Sequence, residues 1–460
     1  MKPSINPQIF REYDIRGIVG TDLTPASVTS IGKAIGTYIR RGNGKNMILG
    51  RDVRSSSVEF CNILSKALNS TGCNVIDIGM VPTPVLYFAL HHFNADGGVM
   101  ITGSHNPPEF NGFKISQGFH SLYGEKVQEL KGLIEVNDFE VGTGTTKQQP
   151  VLAEYMEKIC SILEIPRKIK VVVDGGNGCF GIVGPDLLKK LGQTPIELFS
   201  EPDGTFPNHH PDPTVSEHLT DLIEKVRLEN AELGIGFDGD ADRIGVVDEK
   251  GNILWGDQLL TIFARDILSR NPGATIVGEV KCSQNLYKDI KKHGGVPVMA
   301  AAGHSLIKNK MRETGALLAG EMSGHICFAD NYYGFDDAIF AACRVLQIVA
   351  QSNTKVSEML ADLPETAYTP EIRIDCPDDQ KFKIVRELTE IFREKYEVID
   401  IDGVRVNFDD GWALIRASNT QPVLVLRLEA VTKERLKELV AVIKKQTDKY
   451  KPVIQFDYEP

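Results

Sequence analysis

The sequence predicts an α/β protein of several domains. Apolar runs of strand length alternate with longer helical patterns, which is typical of layered α/β folds. The chain has 460 residues, which suits about three domains at roughly 150 residues each. Four polar loops each follow one apolar run and precede another, and loops on rigid scaffolds are where function concentrates.

Local patterns support this fold class in chain order. Residues 46–53, NMILGRDV, have the apolar character of a strand, and 55–72 have the pattern of a helix that ends at Gly72. The amphipathic pattern at 433–446, KERLKELVAVIKKQ, predicts a helix in the last part of the chain. The remaining segments with clear patterns are strands at 73–79 and 168–178, a helix at 185–192 and an apolar run at 194–199.

Three loop-like segments divide the chain into parts of ordinary domain size. They are VGTGTTKQQP (141–150), DEKGNI (248–253) and LPETAYTPE (363–371). The predicted domains are 1–150, 151–253, 254–366 and 367–460. Each contains one of the four polar loops, and the loops differ in chemistry and complement one another. They therefore indicate one composite site at a central cleft.

Composition excludes several classes of function. The formal net charge of −11 argues against binding to nucleic acid or to a membrane surface, since either needs a basic face. The start, MKPSINPQIFREYDIRG, has no apolar core of a signal peptide, and no run approaches the ~18 apolar residues of a membrane span. The eight cysteines include no C-x-x-C pair, which is typical of reduced thiols. We therefore expect a cytoplasmic protein.

The first polar loop lies in VMITGSHNPPEFNGFKI (99–115), where Ser104 and His105 stand between two apolar runs. The sequence around Ser104 is not the G-x-S-x-G elbow of a hydrolase. A plain turn is one interpretation, because Ser, Asn, Gly and Pro all favour turns. The role of Ser104 therefore depends on the other three loops.

The second loop, FDGDADRIGVVDE, places Asp238, Asp240 and Asp242 at alternate positions. Three carboxylates can converge on one hard cation, and without a cation their repulsion is costly. Open coordination positions suit Mg²⁺ that shares a phosphate oxygen, with Arg243 as a nearby positive charge. The alternative is a solvated acidic turn. An EF-hand is rejected, because its sixth position needs glycine and here is Arg243, and because the flanking runs resemble strands.

Two other segments could suggest a function, but we interpret both as structural. Gly176-x-Gly178-x-x-Gly181 follows a strand and matches the dinucleotide-binding fingerprint. Close packing of the strand against a helix is the preferred account, because no second nucleotide-binding half is evident. His209 and His210 stand in a proline-rich turn and are assigned no chemistry.

The third and fourth loops supply sugar- and phosphate-binding chemistry. GEMSGH offers Glu321 and Ser323, whose oxygens can hydrogen-bond adjacent sugar hydroxyls, and GHSLIK offers His304 as an acid–base group. The fourth loop, RASNTQP, combines a guanidinium, hydroxyls and an amide in one turn, which suits a phosphate. Its candidates are Arg416, Ser418, Asn419 and Thr420, and two further candidate cations at strand ends are Arg16 and Lys281.

Together, TGSHNP, DGDADR, GEMSGH and RASNT resemble, in this order and spacing, the motifs of the α-D-phosphohexomutase family. Their wording is similar to that of its bacterial phosphomannomutase/phosphoglucomutase branch, and the resemblance covers essentially the whole chain, including EYDIRG. It implies three related mixed α/β domains and a smaller C-terminal α+β domain around a central cleft. One departure is Ala241, where the family commonly has glycine; a positive φ there would strain alanine, and we expect the loop to tolerate it.

The resemblance also implies roles for individual residues. Ser104 matches the phosphoserine, and the three aspartates with a phosphoserine oxygen match the Mg²⁺ ligands. Glu321 and Ser323 match the residues that read the 3- and 4-hydroxyls of the sugar, and the RASNT loop matches the holder of the non-reacting phosphate. The remaining matches are Lys114 and His304 as acid–base groups, Arg16 and His105 beside the phosphoserine, and Arg243, Lys281 and His325 along the cleft.

The implied reaction is reversible transfer of a phosphoryl group between O1 and O6 of glucose or mannose phosphates. The expected cofactors are Mg²⁺ and a hexose 1,6-bisphosphate, which is intermediate and activator. The expected partners are small sugar phosphates, with no nucleic acid and no membrane, and the chain is expected to be a monomer or weak dimer. The alternatives are a phosphoglucosamine mutase, a Mg²⁺-dependent phosphatase, and a metal- or nucleotide-binding module without enzyme activity.

Overall fold

The computed structural model describes residues 5–419 and 421–458. Its strands form four sheets, one after another along the chain, and the predicted α/β alternation is confirmed. The amphipathic pattern near the end forms the helix Lys433–Thr447. The helix predicted at 185–192 begins earlier, at Phe180, with Pro185 inside it. It starts directly after the glycine-rich turn, so the G-x-G-x-x-G motif does open a helix.

The first unit contains a seven-stranded mixed sheet with strand order β1-β5-β4-β2-β3-β7, and β6 pairs with β5. The helix α1 begins with a capping box, in which Thr24 and Ser27 satisfy each other's backbone N–H groups. The elements are β1 Ile15–Ile18, α1 Pro25–Arg41, β2 Asn46–Arg51, α2 Ser55–Ser70, β3 Asn74–Met80, α3 Thr83–His92, β4 Gly97–Ile101, β5 Phe110–Gln117, β6 His120–Ser121, α4 Glu125–Val136 and β7 Thr146–Gln148.

The second unit has a five-stranded sheet of order β12-β11-β10-β8-β9. Strands β8 and β10 are parallel, and β10 and β11 form an antiparallel hairpin. The elements are α5 Leu152–Ile162, β8 Val171–Asp174, α6 Phe180–Lys190, β9 Ile196–Leu198, α7 Thr220–Glu229, β10 Leu233–Phe237, β11 Ile244–Asp248 and β12 Ile253–Leu254. The predicted boundary after residue 253 falls inside β12, because a tight turn returns the chain to the same sheet; the other boundaries stay predictions.

The third unit has a four-stranded sheet of order β14-β13-β15-β16. Strands β13 and β15 are parallel, and β15 and β16 form an antiparallel hairpin. The elements are α8 Gly256–Arg270, β13 Thr275–Glu279, α9 Gln284–Lys292, β14 Val296–Ala300, α10 His304–Thr314, β15 Leu318–Gly320, β16 Ile326–Phe328 and α11 Ala338–Gln351.

The fourth unit differs, because its six-stranded sheet is antiparallel throughout, with order β17-β22-β21-β20-β19 and β18 on β22. Its two helices pack on this sheet around one apolar cluster. The elements are β17 Ala367–Tyr368, β18 Ile372–Asp375, α12 Asp378–Arg393, β19 Glu397–Ile399, β20 Val404–Phe408, β21 Gly411–Ala417, β22 Val423–Ala430 and α13 Lys433–Thr447.

The four predicted loops all join two antiparallel strands. They connect β4 to β5, β10 to β11, β15 to β16 and β21 to β22. In the first three units, the strand that enters the loop also pairs in parallel with an earlier strand. The polar loop therefore leaves the same edge of the sheet each time, which is the usual place for a site in an α/β unit.

One apolar core holds the first three units together. It runs from Ile48 in β2 through Phe180 in α6 and on to Phe340 in α11. The fourth unit meets the third through a small separate cluster of Val280, Ala302, Trp412 and Leu414. This cluster between the third and fourth units has far fewer residues than the core that the first three units share, although its residues are buried.

The cysteines and the lengths of the helices complete the description of the fold. All eight cysteines lie in the described part of the chain, where each is a free thiol, and seven are buried. Across residues 5–419 and 421–458, we find no helix with the length and apolar character that crossing a membrane requires.

Candidate active site

The four polar loops meet at one place. The hydroxyl Oγ of Ser104 donates to Asp238 Oδ2 at 3.0 Å, which joins the first unit to the second. Arg243 Nε lies 3.0 Å from His325 Nε2, which joins the second to the third. The amide of Asn419 donates to Tyr13 Oη at 3.2 Å, which brings the fourth unit onto the first. Contacts of the four predicted loops therefore link all four units.

Ser104 is held in an unusual backbone conformation. Its φ of +49° is in the left-handed region that non-glycine residues seldom adopt. Its N–H donates to Thr102 Oγ1 at 2.8 Å, and only 2% of the residue is exposed. Its hydroxyl also lies 3.3 Å from His105 Nδ1. Strain of this kind is commonly found at functional sites, where the surroundings fix one conformation.

Arg54 fixes the chain around Ser104, and the sequence analysis missed it. Its Nε contacts Asp52 Oδ2 at 3.2 Å, and it is 1% exposed. Each terminal nitrogen donates to two backbone carbonyls of the serine loop. The four carbonyls belong to Ser104, Asn106, Pro107 and Phe110. Together with the contact to Asp52, they use all five N–H donors of the planar guanidinium.

The three aspartates of the second loop form a buried cluster. One oxygen from each of Asp238, Asp240 and Asp242 can be chosen so that all lie within 4.8 Å of one another, and each residue is 0% exposed. Asp240 Oδ1 and Asp242 Oδ1 have no hydrogen-bond partner among the described residues. Buried acceptors without a partner are costly. The donor set fits a hard divalent cation that prefers carboxylate oxygens.

Lys114 balances part of this negative charge. Its ammonium, on β5, donates to Asp240 Oδ2 at 2.6 Å and also to Asp242 Oδ2. Burial would lower the pKa of Lys114, but the two carboxylates outweigh burial and hold it well above its usual value. Burial raises the pKa of Asp240, yet Lys114 outweighs burial and lowers it. Burial and the two neighbouring carboxylates raise the pKa of Asp238.

Backbone conformation shapes the aspartate loop. Ala241 has a φ of +56° and is buried, so this position is one where glycine would fit without strain. The loop lies close to the glycine-rich turn: a Cβ on Gly178 would stand 2.7 Å from the carbonyl oxygen of Gly239. The motif therefore serves close packing, but Gly178 packs against the aspartate loop, whereas we expected packing of the strand against a helix.

A cationic and a neutral side chain also lie near Ser104, in addition to the Asp238 carboxylate. The guanidinium of Arg16 donates to the side chains of Asn106 and Asp14. Burial, together with the charges of Arg243 and Arg16, lowers the pKa of His105 well below its usual value. His105 is therefore neutral near pH 7, and its surroundings disfavour the protonated form.

Two histidines face a buried carboxylate at the back of the cleft. The rings of His304 and His325 stack with centroids 5.3 Å apart. Their Nδ1 atoms lie 3.5 and 3.1 Å from Asp336 Oδ2, while Lys308 donates to Asp336 Oδ1 at 2.7 Å. Burial and the charge of Lys308 lower the pKa of His304, which favours its neutral form.

The loop with Glu321 and Ser323 docks directly on the aspartate hairpin. Gly324 has a φ of +87°, and a Cβ there would stand 2.4 Å from the carbonyl oxygen of Ile244. The Ile244 N–H donates to the Gly324 carbonyl at 3.1 Å. Glu321 accepts a hydrogen bond from the N–H of Gly303 at 2.7 Å. These contacts fix Glu321 and Ser323 beside the cleft.

The polar groups of the fourth loop make contacts within their own unit and with the first unit. Arg416 Nε donates to Asp402 Oδ2 at 3.0 Å, and Ser418 Oγ accepts from the N–H of Gln421 at 3.1 Å. Tyr13, which receives the Asn419 amide, donates to the carbonyl of Ala302 at 2.8 Å. Thr420 lies outside the described residues.

Lys281 and the buried carboxylate of Glu279 lie close together next to the loop that contains Glu321 and Ser323. Lys281 Nζ lies 3.3 Å from Glu371 Oε2 and 3.8 Å from Glu279 Oε1. Glu279, at the end of β13, is 0% exposed and accepts from the N–H groups of Lys281 (2.7 Å) and Met322 (3.3 Å). Glu279 therefore links the segment that contains Lys281 to the loop that contains Glu321 and Ser323.

Comparisons with known proteins agree with this arrangement. The family domains described as Phosphoglucomutase/phosphomannomutase, alpha/beta/alpha domains I, II and III, match residues 7–140, 153–251 and 255–367, and the C-terminal domain of the same family matches 371–446. The chain belongs to the phosphoglucomutase/phosphomannomutase family. The predictions of family and of four domains, three α/β and one C-terminal, are confirmed.

Individual members of this family align over almost their full length. The chain is 47% identical over 445 residues to a phosphomannomutase/phosphoglucomutase of Pseudomonas aeruginosa, covering 96% of each chain. It is 44% identical over 457 residues to a phosphoglucomutase of Neisseria gonorrhoeae, covering 98% of each. The crystal structure of a family protein from Burkholderia thailandensis is 40% identical, with a TM-score of 0.93, and the match covers 99% of this chain and 100% of that one.

Several residues of this phosphohexomutase site were not predicted. Arg54 and Glu279 act on backbone groups, and Asp336 acts on two histidines, so none carries a motif of its own. Tyr13 stands in EYDIRG beside Arg16, and its position in that motif was an available signal. Thr83, whose hydroxyl donates to Asp240, is at the start of α3 in the first unit, and its neighbours in sequence give no sign of that contact.

Proposed function

We propose that the chain interconverts the 1- and 6-phosphates of glucose and mannose through a phosphoserine at Ser104. The observation that carries this proposal is the position of Ser104 Oγ, 3.0 Å from a carboxylate of the buried aspartate cluster, to which the Lys114 ammonium also donates. Phosphoryl transfer requires positioning and charge neutralisation more than covalent activation. This arrangement supplies both.

In the proposed reaction, phospho-Ser104 transfers its phosphoryl group to the free hydroxyl of the bound hexose phosphate. The Ser104 Oγ–P bond breaks, a new O–P bond forms on the sugar, and the hydroxyl proton passes to a base. The resulting hexose 1,6-bisphosphate turns end for end in the cleft. Its other phosphate then returns to Ser104, and the base gives the proton back to the sugar oxygen.

Asp238, Asp240 and Asp242 would hold Mg²⁺ together with a phosphate oxygen on Ser104. A bound Mg²⁺ would draw charge from the transferring group. Lys114, Arg16 and Arg243 offset further negative charge on that side. His304 is neutral near pH 7, by the direction of its pKa, so it can accept the hydroxyl proton, whereas Lys114, whose pKa lies well above its usual value, is protonated and can only donate one.

The substrate would lie between the third and fourth units. Glu321 and Ser323 would bind the 3- and 4-hydroxyls, which exchange places roughly symmetrically when the sugar turns. The 2-hydroxyl lies outside this pair, which would allow both the glucose and the mannose epimer. The fourth loop would hold the non-reacting phosphate through Arg416, Ser418, Asn419 and Thr420. Lys281 and His325 would line the cleft.

A coupled assay tests the proposal. Purified protein with Mg²⁺, a trace of glucose 1,6-bisphosphate and either glucose or mannose 1-phosphate should form the corresponding 6-phosphate. Release of inorganic phosphate in its place would identify a phosphatase. A faster rate on glucosamine 1-phosphate than on either hexose would identify a phosphoglucosamine mutase, and no turnover with any of them would contradict an enzyme function.

A further inference from the structure

We propose that Arg405 of the fourth unit is a positioning residue that sets the location of Lys281 in the third unit. This inference rests on the proposed role of Lys281 in substrate binding. Arg405 lies on β20 and is 0% exposed. It reaches across the boundary between the two units to the segment that follows β13.

The contacts of Arg405 surround Lys281 in sequence. Its Nη1 donates to the carbonyl of Val280 at 2.5 Å and to the carbonyl of Cys282 at 2.9 Å. Its Nη2 donates to Gln284 Oε1 at 3.1 Å. One guanidinium therefore holds the carbonyl on each side of Lys281.

Other groups hold the opposite ends of the same peptide units. The N–H of Lys281 donates to Glu279 Oε2, so the peptide unit between Val280 and Lys281 is held at its oxygen and at its nitrogen. The N–H of Ser283 donates to Asp257 Oδ2 at 2.8 Å, so the unit after Cys282 is held in the same way. The Lys281 backbone is thus fixed, and only its side chain can adjust.

The fourth unit keeps Arg405 itself in place. The guanidinium carbon lies 3.7 Å from the ring centroid of Trp412, which is 2% exposed. Trp412 and Leu414 pack against Val280 and Ala302 in the cluster between the units. A planar guanidinium stacked on an aromatic ring and holding two carbonyls cannot be replaced by lysine without losing contacts. The position of Lys281 therefore depends on the docking of the fourth unit.

A double-mutant cycle on kcat/KM for glucose 1-phosphate tests this inference. The variants are Arg405→Met, Lys281→Met and the double variant. Removing Arg405 leaves buried carbonyls without a donor, so we expect a loss of about tenfold or more, mainly through KM. In the Lys281→Met background the same substitution should change kcat/KM less than about threefold, because its target is already gone.

Two controls separate positioning from loss of folding. Arg405→Lys keeps the charge and should fall between wild type and Arg405→Met. Arg344→Met removes another buried arginine, which pairs with Asp266 and Asp330 of the third unit and not with the groups that hold the Lys281 segment, and its effect should be equal in both Lys281 backgrounds. Thermal unfolding of every variant checks the fold.

The outcomes separate the two proposals. Equal losses from Arg405→Met in both Lys281 backgrounds would overturn the positioning role. Normal kinetics of Lys281→Met would remove Lys281 from the site, while an inactive wild type would contradict the proposed function itself.

Discussion

Ser104 Oγ donates a hydrogen bond to Asp238 Oδ2 at 3.0 Å although 134 positions separate the two residues in the chain. The serine is at the end of β4 in the first unit, and the aspartate follows β10 in the second. A nucleophile and a candidate metal ligand are thereby brought together by the packing of two domains. The mutase chemistry proposed for this chain depends on that contact.

Replacing Lys114 should destabilise the protein in the absence of divalent cations. Lys114→Met would leave Asp240 and Asp242 buried without their cationic partner, and breaking a buried pair of this kind costs about 3–5 kcal/mol. Since Mg²⁺ would restore part of the charge balance, we expect it to raise the unfolding temperature of Lys114→Met more than that of wild type.

Thermal unfolding with Mg²⁺ and with a chelator checks this prediction. Lys126→Met is a suitable control, because Lys126 belongs to the same unit but is exposed on α4. A Lys114→Met protein whose unfolding temperature does not respond to Mg²⁺ would argue against cation binding by the aspartate cluster.

Substitutions at Ala241 should report the backbone demand of the aspartate loop. Its φ of +56° costs alanine about 1 kcal/mol in conformational strain. Glycine would avoid this strain but would lose a similar amount through its larger loss of backbone entropy on folding. Ala241→Gly should therefore keep its activity and change the free energy of unfolding by less than ~1 kcal/mol.

Ala241→Val is the contrasting variant, since a β-branched residue is a steric outlier at positive φ. It should lose both stability and activity. Denaturant unfolding and the coupled assay on both variants test this pair, and an Ala241→Val enzyme with wild-type properties would show that the loop relaxes freely.

The stability of the protein should carry a pH signature from Asp337. This carboxylate caps α11 and accepts hydrogen bonds from Tyr155 Oη at 3.1 Å and Tyr332 Oη at 2.8 Å. Burial raises its pKa to about 6, against an ordinary value near 3.9. The folded state therefore binds the proton more tightly than the unfolded state, and its stability falls as pH rises from about 4 to about 6.

Asparagine does not titrate in this pH range, so the difference in stability between the wild type and Asp337→Asn reports the titration of Asp337. The wild type should lose about 2 kcal/mol relative to Asp337→Asn between pH 4 and pH 6.5, since each pKa unit corresponds to about 1.36 kcal/mol and part of the titration lies outside this range. Denaturant unfolding at several pH values measures the difference. A constant difference across this range would show that Asp337 titrates normally in the folded protein.

Much of the fold and the four loops could be predicted, because they leave local patterns. Apolar runs on both sides of TGSHNP and DGDADR indicate two strands joined by a loop, and the aspartate spacing is typical of a cation site. Ala241 likewise stands where the family commonly has glycine, and its φ is positive.

The contacts between units could not be predicted in the same way. Arg54 and Arg405 donate to carbonyls, which every residue possesses, so no side-chain pattern marks their partners. Thr83 and Tyr13 reach their partners only after the units have packed. The start of α6 at Phe180, with Pro185 inside the helix, shows that tertiary packing can also override a local helix signal.

Intact-mass analysis tests the central claim most directly. The protein would be incubated with glucose 1,6-bisphosphate and Mg²⁺, then digested to locate the modification, with Ser104→Ala as the matched control. We predict one added phosphoryl group on the peptide that contains Ser104, and none on the control, which should also lose most of its activity. A wild-type enzyme that turns over glucose 1-phosphate while Ser104 never carries phosphate would contradict this account.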